Sequence, residues 1–482
     1  MLHSTHASLF LLLCSSLGVI GAPNPYPSPV AGLTVSLSRR SRPSRNVTEV
    51  AQLAYNQRQA LIAKYSTKSK QKRSTGYNSI VDQEADSGYY GSLAIGTPAV
   101  SYDVLLDTGS SDLWVAGSSC AACASSPTFN PAASTSFQNL STPFEIEYGS
   151  GAAEGYVGQD VVQMAGFSVT NQGFGVFTIP AVSLSSHYSH DRNLAIVDAT
   201  SQNLLQSPVS GLLGLAWESL AASGKMPFWQ TLASSNAWDS PLMSIQLRRY
   251  GNDTSAQNEE PGGTLMMGYV NSSLYTGDID YQDIPGTPAY WSQTLSSITV
   301  QGTSISLGST SSAAIDTGTT NIAGPASAVQ AIYATIPGSQ PATGQWEGYY
   351  SYPCDTAVSV SFSFGGPSWS MSPADFEFTR LDNSQDCIGA FFESNTQGGG
   401  TPDWIIGDAF LKNVYSVFRY SPASVGFAAL SEAAISMNGV DGTVPTPTIG
   451  AVTAAITGAA LPSHAFDKFA LIGSAAVIAY LL

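Results

Sequence analysis

The sequence predicts an all-β protein with two related β-rich lobes and only a few short helices. Its 482 residues include 45 Gly and 27 Pro, and 43% of them are hydrophobic while 11% are charged, which suits a large, turn-rich protein with an ample core. An apolar run ends in an Asp-Thr-Gly turn at 107–109, and a second ends in the same turn at 316–318, 209 residues later. Two apolar segments that end at Gly214 and Gly407 have a similar separation. This repetition indicates a duplicated lobe with pseudo-twofold symmetry.

Short alternating strands separated by Gly and Pro continue along most of the chain. Residues 89–98 and 102–106 predict a hairpin that leads into the first Asp turn. Residues 145–162 predict a second hairpin with a Gly-rich tip. The best helix candidates are 227–234 and 327–336.

The two Asp-Thr-Gly turns each place a carboxylate at the end of a strand that reads as buried. The glycine lets backbone amides approach the Asp closely. A single Asp-Thr-Gly is usually an ordinary surface turn, but two copies in the same context can bring Asp107 and Asp316 face to face. Two carboxyls that close cannot both ionise. They would therefore share one proton and supply an acid and a base in one site.

The residues around these turns resemble a known family. Asp-Thr-Gly-Ser-Ser-Asp-Leu-Trp-Val at 107–115 and Asp-Thr-Gly-Thr at 316–319 resemble the two active-site turns of pepsin-like aspartic endopeptidases, in which a proton shared by two Asp residues is well established. The resemblance extends from about 78 to 430. It implies a bilobal pepsin-like fold, a secreted fungal-type enzyme and hydrolysis of internal peptide bonds at acidic pH, with no metal and no cofactor.

The resemblance also implies roles for the residues of the two turns. Asp107 and Asp316 would be the catalytic pair that activates a water molecule. Hydroxyl groups would bond the outer carboxylate oxygens or tie the two turns together, although each of these residues also suits plain packing or turn chemistry. The supporting residues are Thr108, Gly109, Ser110, Thr317, Gly318 and Thr319.

The predicted hairpin at 145–162 resembles the flap that closes over bound peptide in this family. Taken alone, such a tip is more often just a turn, but its spacing after Asp107 favours the flap. Its backbone amides would bond an extended substrate as an added strand, next to apolar pockets. The implied substrate-binding residues are Tyr148, Gly149, Ser150, Gly151, Leu105, Leu212 and Trp114, where Tyr148 is the closing aromatic and Trp114 supports it.

The first 73 residues predict two segments that precede the mature body. Residues 1–22 have the apolar run and the small-residue end of a secretory signal. Residues 23–73 are basic and read as a propeptide that ends at a dibasic processing site, or alternatively as a disordered basic linker. Lys64, which precedes a Tyr, resembles the lysine with which zymogens of this family plug the Asp pair.

The body is expected to comprise an N-terminal lobe at 74–272 and a C-terminal lobe at 273–430. Residues 431–458 are rich in Ala, Gly, Thr and Pro and predict a flexible stalk. Residues 459–482 end in a charge-free apolar tail. Small residues from Gly458 onwards, a spacer and this tail fit a glycosylphosphatidylinositol (GPI) attachment signal, and a hydrophobic membrane anchor is the alternative. A GPI signal places the enzyme at the cell surface or wall.

Four of the five cysteines lie outside the apolar leader, which contains Cys14. An even set in a secreted chain indicates two disulfides. Four cysteines allow three pairings, and the resemblance favours Cys120–Cys123 and Cys354–Cys387. The Cys-x-x-Cys at 120–123 also fits a redox pair or half a zinc site, but no second Cys-x-x-Cys accompanies it. Asn-x-Ser/Thr triplets mark possible N-glycosylation sites at Asn46, Asn139, Asn252 and Asn271.

The charge distribution limits the possible partners. Residues 1–73 hold ten of the 18 Lys and Arg residues and one acid, which leaves eight basic and 33 acidic residues in the rest. A body this negative argues against nucleic acid and favours work in acid, where carboxylates protonate; simple solubility is the alternative explanation of the charge. We expect a monomer whose partners are peptide or protein substrates, its own propeptide, pepstatin-type inhibitors and, through the GPI anchor, the membrane.

Three rival functions fit part of the sequence. A catalytically inactive relative would act as a binding or inhibitor protein, but both Asp turns are intact. A glycosidase also uses two carboxylates, yet it has no need of duplicated Asp-Thr-Gly turns. A structural cell-wall protein would explain the stalk and the anchor but not the Asp pair.

Overall fold

The computed structural model describes residues 73–120, 123, 126–148, 151–180, 205–251, 256–309, 311–381, 384–394, 401–440, 442, 444–445 and 450–456. Several predicted features lie outside these residues, and so does the side chain of Tyr148. They are the signal peptide, residues 23–72 of the propeptide with Lys64, the hairpin tip at Gly149 and Ser150, the glycosylation candidates Asn46 and Asn252, the attachment residue Gly458 and the tail at 459–482.

Strands dominate the described chain, as the composition predicts. The strands are β1 (Gly76–Gln83), β2 (Gly88–Ile95), β3 (Val100–Asp107), β4 (Leu113–Ala116), β5 (Gln138–Tyr148), β6 (Gly151–Met164), β7 (Phe167–Pro180), β8 (Val209–Gly214), β9 (Leu242–Leu247), β10 (Glu259–Met267), β11 (Tyr275–Asp283), β12 (Ser292–Thr294), β13 (Ser297–Val300), β14 (Thr303–Ile305), β15 (Ser312–Ile315), β16 (Ile322–Gly324), β17 (Gln340–Pro341), β18 (Tyr350–Pro353), β19 (Val360–Ser363), β20 (Ser368–Met371), β21 (Glu377–Arg380), β22 (Asp386–Gly389), β23 (Phe391–Glu393), β24 (Trp404–Ile406), β25 (Val414–Arg419), β26 (Ser424–Leu430) and β27 (Ala454–Ile456).

The helices in the same residues are short. They are α1 (Phe228–Ser234), α2 (Ala326–Ala334), α3 (Pro373–Phe376), α4 (Asp408–Leu411) and α5 (Glu432–Ile435), with 3₁₀ turns at Pro131–Ala133, Glu218–Leu220 and Gly344–Trp346. The two longest, α1 and α2, confirm the helices predicted from the sequence. Within the described ranges, none of the helices is long and apolar enough to cross a membrane.

One large sheet joins strands from both halves of the chain. Its order is β11-β26-β25-β9-β10-β1-β2-β3-β8-β4-β7-β6-β5, and β27 adds to β7. The three smaller sheets are β12-β15-β24-β16-β23, β14-β13-β19-β20 and β17-β18-β22-β21, all drawn from residues 292–406. The all-β fold class is therefore confirmed.

The two Asp turns follow strands with the same neighbours. In the first half, β3 runs parallel to β8, which pairs antiparallel with β4. In the second half, β15 runs parallel to β24, which pairs antiparallel with β16. A Cβ on Gly214 would collide with the backbone just after the first Asp turn, at Ser111, and a Cβ on Gly407 with the backbone just after the second, at Thr319. This close approach explains why both apolar segments end in glycine.

The chain after residue 430 differs from the prediction of a flexible stalk. Strand β27 pairs in parallel with Phe167–Val169, and the amide of Thr453 donates to the carbonyl of Gly166 (2.7 Å). The side chain of Ile456 is only 7% exposed. An Ala- and Thr-rich composition is typical of stalks, but here small side chains allow the segment to cover a sheet edge. The described part of 431–456 is thus folded against the body.

Replacing Ile456 by Asp should lower the free energy of unfolding by about 2–4 kcal/mol, because a charge would be placed in a buried apolar position. Urea denaturation measures the change. Val452, 47% exposed in the same segment, provides the matched control, and its Asp variant should stay within about 0.5 kcal/mol of the parent. If the Ile456 variant lost as little stability as the Val452 variant, the segment would not dock in solution.

Candidate active site

Asp107 ends β3 and Asp316 directly follows β15, and both side chains are buried, at 5% and 9% exposure. The two carboxyl groups are within hydrogen-bond reach of each other. A Cβ placed on Gly109 would lie 2.5 Å from the carboxyl carbon of Asp316. A Cβ on Gly318 would likewise collide with the carboxyl group of Asp107. Each turn therefore needs its glycine to leave room for the opposite carboxyl group.

Each carboxylate is held by one amide and one hydroxyl of its own turn. Asp107 accepts hydrogen bonds from the amide of Gly109 (2.7 Å) and from the hydroxyl of Ser110. The second carboxylate accepts the equivalent bonds from the amide of Gly318 (2.8 Å) and the hydroxyl of Thr319 (2.7 Å). The hydrogen bonding is thus the same in both turns, which matches the repeat seen in the sequence.

Thr108 and Thr317 tie the two turns together. The amide of Thr108 donates to Oγ1 of Thr317 (3.1 Å), and the amide of Thr317 donates to Oγ1 of Thr108 (2.9 Å). Each hydroxyl in turn donates to a backbone carbonyl of the other half, that of Ile315 (2.9 Å) or Leu106 (2.7 Å). Both threonines are buried. Four hydrogen bonds therefore fix the separation of the two Asp residues.

Burial, and then the negative charge of Asp316, raise the pKa of Asp107 from its ordinary value of 3.8 to about 8. The hydrogen bonds from Ser110 and Gly109 act in the opposite direction but do not cancel the effect. The pair consequently retains a proton throughout the acidic range. Burial, followed by the charge of Asp316, also raises the pKa of Tyr290, which places this tyrosine near the pair.

Because its pKa is raised, Asp107 should contribute less to the free energy of unfolding as pH increases from about 4 to about 8. In this window the unfolded chain has released the Asp107 proton and the folded chain still holds it, so the folded state binds more protons and the free energy of unfolding falls. One proton corresponds to at most about 1.4 kcal/mol per pH unit. Asp107→Asn should flatten the decline, measured by urea denaturation at several pH values. Asp355→Asn, at an exposed position, should keep the parent slope, and the same slope in Asp107→Asn would contradict the assignment.

The predicted hairpin is present, since β5 pairs antiparallel with β6 and Tyr148 lies opposite Gly151. Among the predicted substrate-binding residues, Trp114 and Leu212 share one buried cluster, and Leu105 packs against it. The Trp114 ring makes an edge-to-face contact with Phe177, with 4.6 Å between ring centroids.

Both predicted disulfides are confirmed. Cys120 pairs with Cys123 and Cys354 with Cys387, with Cα atoms 5.3 Å and 5.1 Å apart. The Cys-x-x-Cys is therefore a local cross-link here. Two residues near the site were not assigned to it from the sequence, Tyr290 and Trp291. Their adjacent aromatic side chains are visible in the sequence, but only the folded chain brings them near the two Asp turns.

Comparison with known proteins identifies the family to which the chain belongs. The sequence model of the eukaryotic aspartyl proteases matches residues 88–430. The chain belongs to this family. The aspartyl protease is 46% identical over 374 residues to the major aspartyl peptidase 1 of Cryptococcus neoformans, with 75% of this chain and 72% of the relative covered. It is 36% identical over 385 residues to an aspartic protease of Phaffia rhodozyma (78% and 84% covered) and 31% identical over 348 residues to pepsin A of Sus scrofa (72% and 82% covered).

The aspartyl protease family and these peptidase relatives confirm the predicted activity. The protein is an aspartic-type endopeptidase, and its substrates are peptides or proteins. The roles of the individual residues in the two Asp turns are proposed from the contacts between those turns.

Proposed function

We propose that this aspartyl protease hydrolyses internal peptide bonds at acidic pH with Asp107 and Asp316 as its catalytic pair. The observation that carries the proposal is the contact between two buried carboxyl groups, one from each half of the chain, with the same hydrogen bonds to each. Because the raised pKa of Asp107 keeps one proton on the pair in acid, the site contains an acid and a base at the same time.

In the proposed reaction, the ionised carboxylate takes a proton from the attacking water while the protonated carboxyl gives its proton to the oxygen of the scissile carbonyl. Addition of water therefore gives a tetrahedral diol, and the two carboxyls have exchanged protonation states. The carboxyl that took the water proton then passes it to the leaving nitrogen, the other carboxylate takes a proton from a diol hydroxyl, the C–N bond breaks and the pair returns to its starting state. Their titrations are coupled, so the single proton belongs to the pair and not to one residue. Loss of this proton above neutral pH removes the acid and stops the reaction.

The neighbouring hydrogen bonds support this chemistry. The hydroxyls of Ser110 and Thr319 each donate to one oxygen of a carboxylate, and the amides of Gly109 and Gly318 donate to the other oxygen, so that each carboxylate is held in one orientation. Thr108 and Thr317 fix the separation of the two turns. Preorganised hydrogen bonds of this kind hold reacting groups in place before the substrate arrives.

We propose further that an extended substrate binds between the pair and the hairpin formed by β5 and β6. The hairpin tip, with Gly149, Ser150 and Gly151, would bond the substrate backbone, and Tyr148 would close over it. Leu105, Leu212 and Trp114 would form or support apolar pockets, which fits their shared cluster. The lobes proposed at 74–272 and 273–430 are consistent with the three smaller sheets, which all lie within the second range.

Maturation and location follow from the two ends of the chain. We propose cleavage after the signal peptide, removal of the propeptide with its plug Lys64 after residue 73, and GPI attachment at Gly458. Two disulfides support an oxidising, extracellular compartment, and the exposure of Asn139 suits a glycan. Mass spectrometry of both ends of the secreted form tests these assignments, and an intact Arg73–Ser74 bond in the active enzyme would contradict the propeptide boundary.

The catalytic proposal is tested by cleavage of a denatured protein in acid by the matured chain, with and without a pepstatin-type inhibitor. We expect cleavage that the inhibitor stops and that Asp107→Asn abolishes. Cleavage by the Asp107→Asn variant at the parent rate would refute the assignment of this residue.

A further inference from the structure

Trp291 contacts the backbone that supports the first Asp turn. Its side chain is completely buried, and its indole Nε1 donates a hydrogen bond to the carbonyl of Leu215 (2.8 Å). The amide of Leu215 donates in turn to the carbonyl of Asp107 (2.7 Å). One residue therefore separates the indole from the backbone of the first catalytic carboxylate.

The same residue also contacts the backbone that precedes the second Asp turn. The carbonyl of Trp291 accepts a hydrogen bond from the amide of Ile315 (3.1 Å), which directly precedes Asp316. The carbonyl of Ile315 accepts from the hydroxyl of Thr108 (2.9 Å), the residue after Asp107. These bonds close a ring that runs through the first Asp turn, through the residue that precedes the second and through Trp291.

Aromatic side chains hold the indole in one orientation. The ring of Trp291 lies 5.0 Å from that of Trp217, 5.2 Å from that of Trp229 and 5.3 Å from that of Phe418, measured between centroids. Tight aromatic packing restricts rotation of the ring. The N–H of Trp291 consequently points to a single carbonyl oxygen.

The hydrogen bond is not a general requirement of buried tryptophans in this protein. Trp238 is also buried, and its indole nitrogen has no hydrogen-bond partner among the described residues. Packing alone is thus sufficient to accommodate a buried indole here. The bond from Trp291 connects its side chain to a particular backbone position.

We propose that Trp291 is a positioning residue that fixes the backbones of the two Asp turns relative to each other. The inference rests on the proposed roles of Asp107 and Asp316. Since the two carboxyls must share one proton, a small change in their separation alters both their coupled titration and the placement of the attacking water. Trp291 acts through Leu215 and Ile315 and does not touch the substrate.

The test compares two substitutions at Trp291 with the same substitutions at Trp238. Trp291→Phe removes the N–H but also part of the ring. Replacement of Trp291 by 3-benzothienylalanine keeps the ring shape and removes only the N–H donor. We expect either change to lower kcat about tenfold with KM unchanged, since misplacing reacting groups by a fraction of an ångström has effects of this order. The pH profile of kcat should shift as well.

The Trp238 variants should keep the parent kcat and pH profile even where they lower the melting temperature. If Trp291→Phe does not fold, the benzothienyl variant alone tests the role of the N–H donor, because its ring shape preserves the packing. A parent kcat and pH profile in that variant would overturn the proposal and leave Trp291 a packing residue. Asp107→Asn, assayed in parallel, separates the two hypotheses, because an active Asp107→Asn enzyme would refute the catalytic pair whatever the result at Trp291.

Discussion

Asp107→Asn and Asp316→Asn are each expected to lower kcat by a factor of about 10⁴ or more while the protein stays folded. An amide has the shape of a carboxyl group but neither ionises nor passes on a proton, so the pair loses its acid or its base. Groups that act as one unit are strongly non-additive. The double variant should therefore be hardly slower than either single variant. Single-turnover and steady-state rates on a synthetic peptide, with folding checked by circular dichroism, measure the effect.

A buried Asp close to the site provides the matched control. Asp112 is as buried as Asp107, but its carboxylate accepts hydrogen bonds from the amides of Ala222 (2.7 Å) and Ser223 (3.1 Å). Asp112→Asn should keep kcat within a few-fold of the parent, because it removes no proton-transfer group. A similar loss of rate in Asp112→Asn would show that any buried Asp variant damages the site, and the assignment of the pair would lose its support.

Lys412→Met is expected to cause the largest loss of stability, about 3–5 kcal/mol at neutral pH. The buried ammonium group of Lys412 lies 2.5 Å from Oδ2 of Asp86 and 3.2 Å from Oδ1 of Asp375. Removing it leaves Asp86 as a buried carboxylate without a cation, while Asp375 keeps its ion pair with Arg249 (2.5 Å). The loss should be smaller in acid, where protonation can relieve the uncompensated charge. Urea denaturation at pH 4 and pH 7 measures both values.

An ion pair with an exposed cation shows whether burial of the cation is the cause. The Arg380 side chain is 69% exposed and lies 2.7 Å from Glu377, which is 15% exposed. Arg380→Met should change the free energy of unfolding by no more than about 1 kcal/mol, because water already solvates the guanidinium that is removed. If Lys412→Met had as little effect as Arg380→Met, the buried charges would not contribute to holding the two halves of the chain together.

The sequence was sufficient to predict the features that are encoded by short local motifs. An Asp-Thr-Gly turn at the end of an apolar strand places a carboxylate at the strand end by itself. Its repetition predicted that Asp107 and Asp316 meet. The ion pair of Lys412 with Asp86 could not be predicted in this way. Its partners are 326 residues apart, and a lysine after a short helix reads as a surface residue.

The C-terminal segment and Trp291 illustrate two further limits. The composition of 431–458 predicts a flexible stalk, but whether the segment docks depends on the shape of the edge of β7, which the sequence does not display. The role inferred for Trp291 depends on the hydrogen bond from its indole to the carbonyl of Leu215 and on the bond that its own carbonyl accepts from the amide of Ile315. Every residue has a carbonyl, so no sequence pattern indicates which one the indole reaches.

In the proposed mechanism, Asp107 and Asp316 hold a single proton between them. Neutron diffraction from crystals of the matured enzyme, grown in acidic deuterated buffer, observes that proton as a deuteron. We expect one deuteron between the facing oxygens of the two carboxyl groups. A separate deuteron on each carboxyl, no deuteron on either, or carboxyl groups that are not in contact would contradict it.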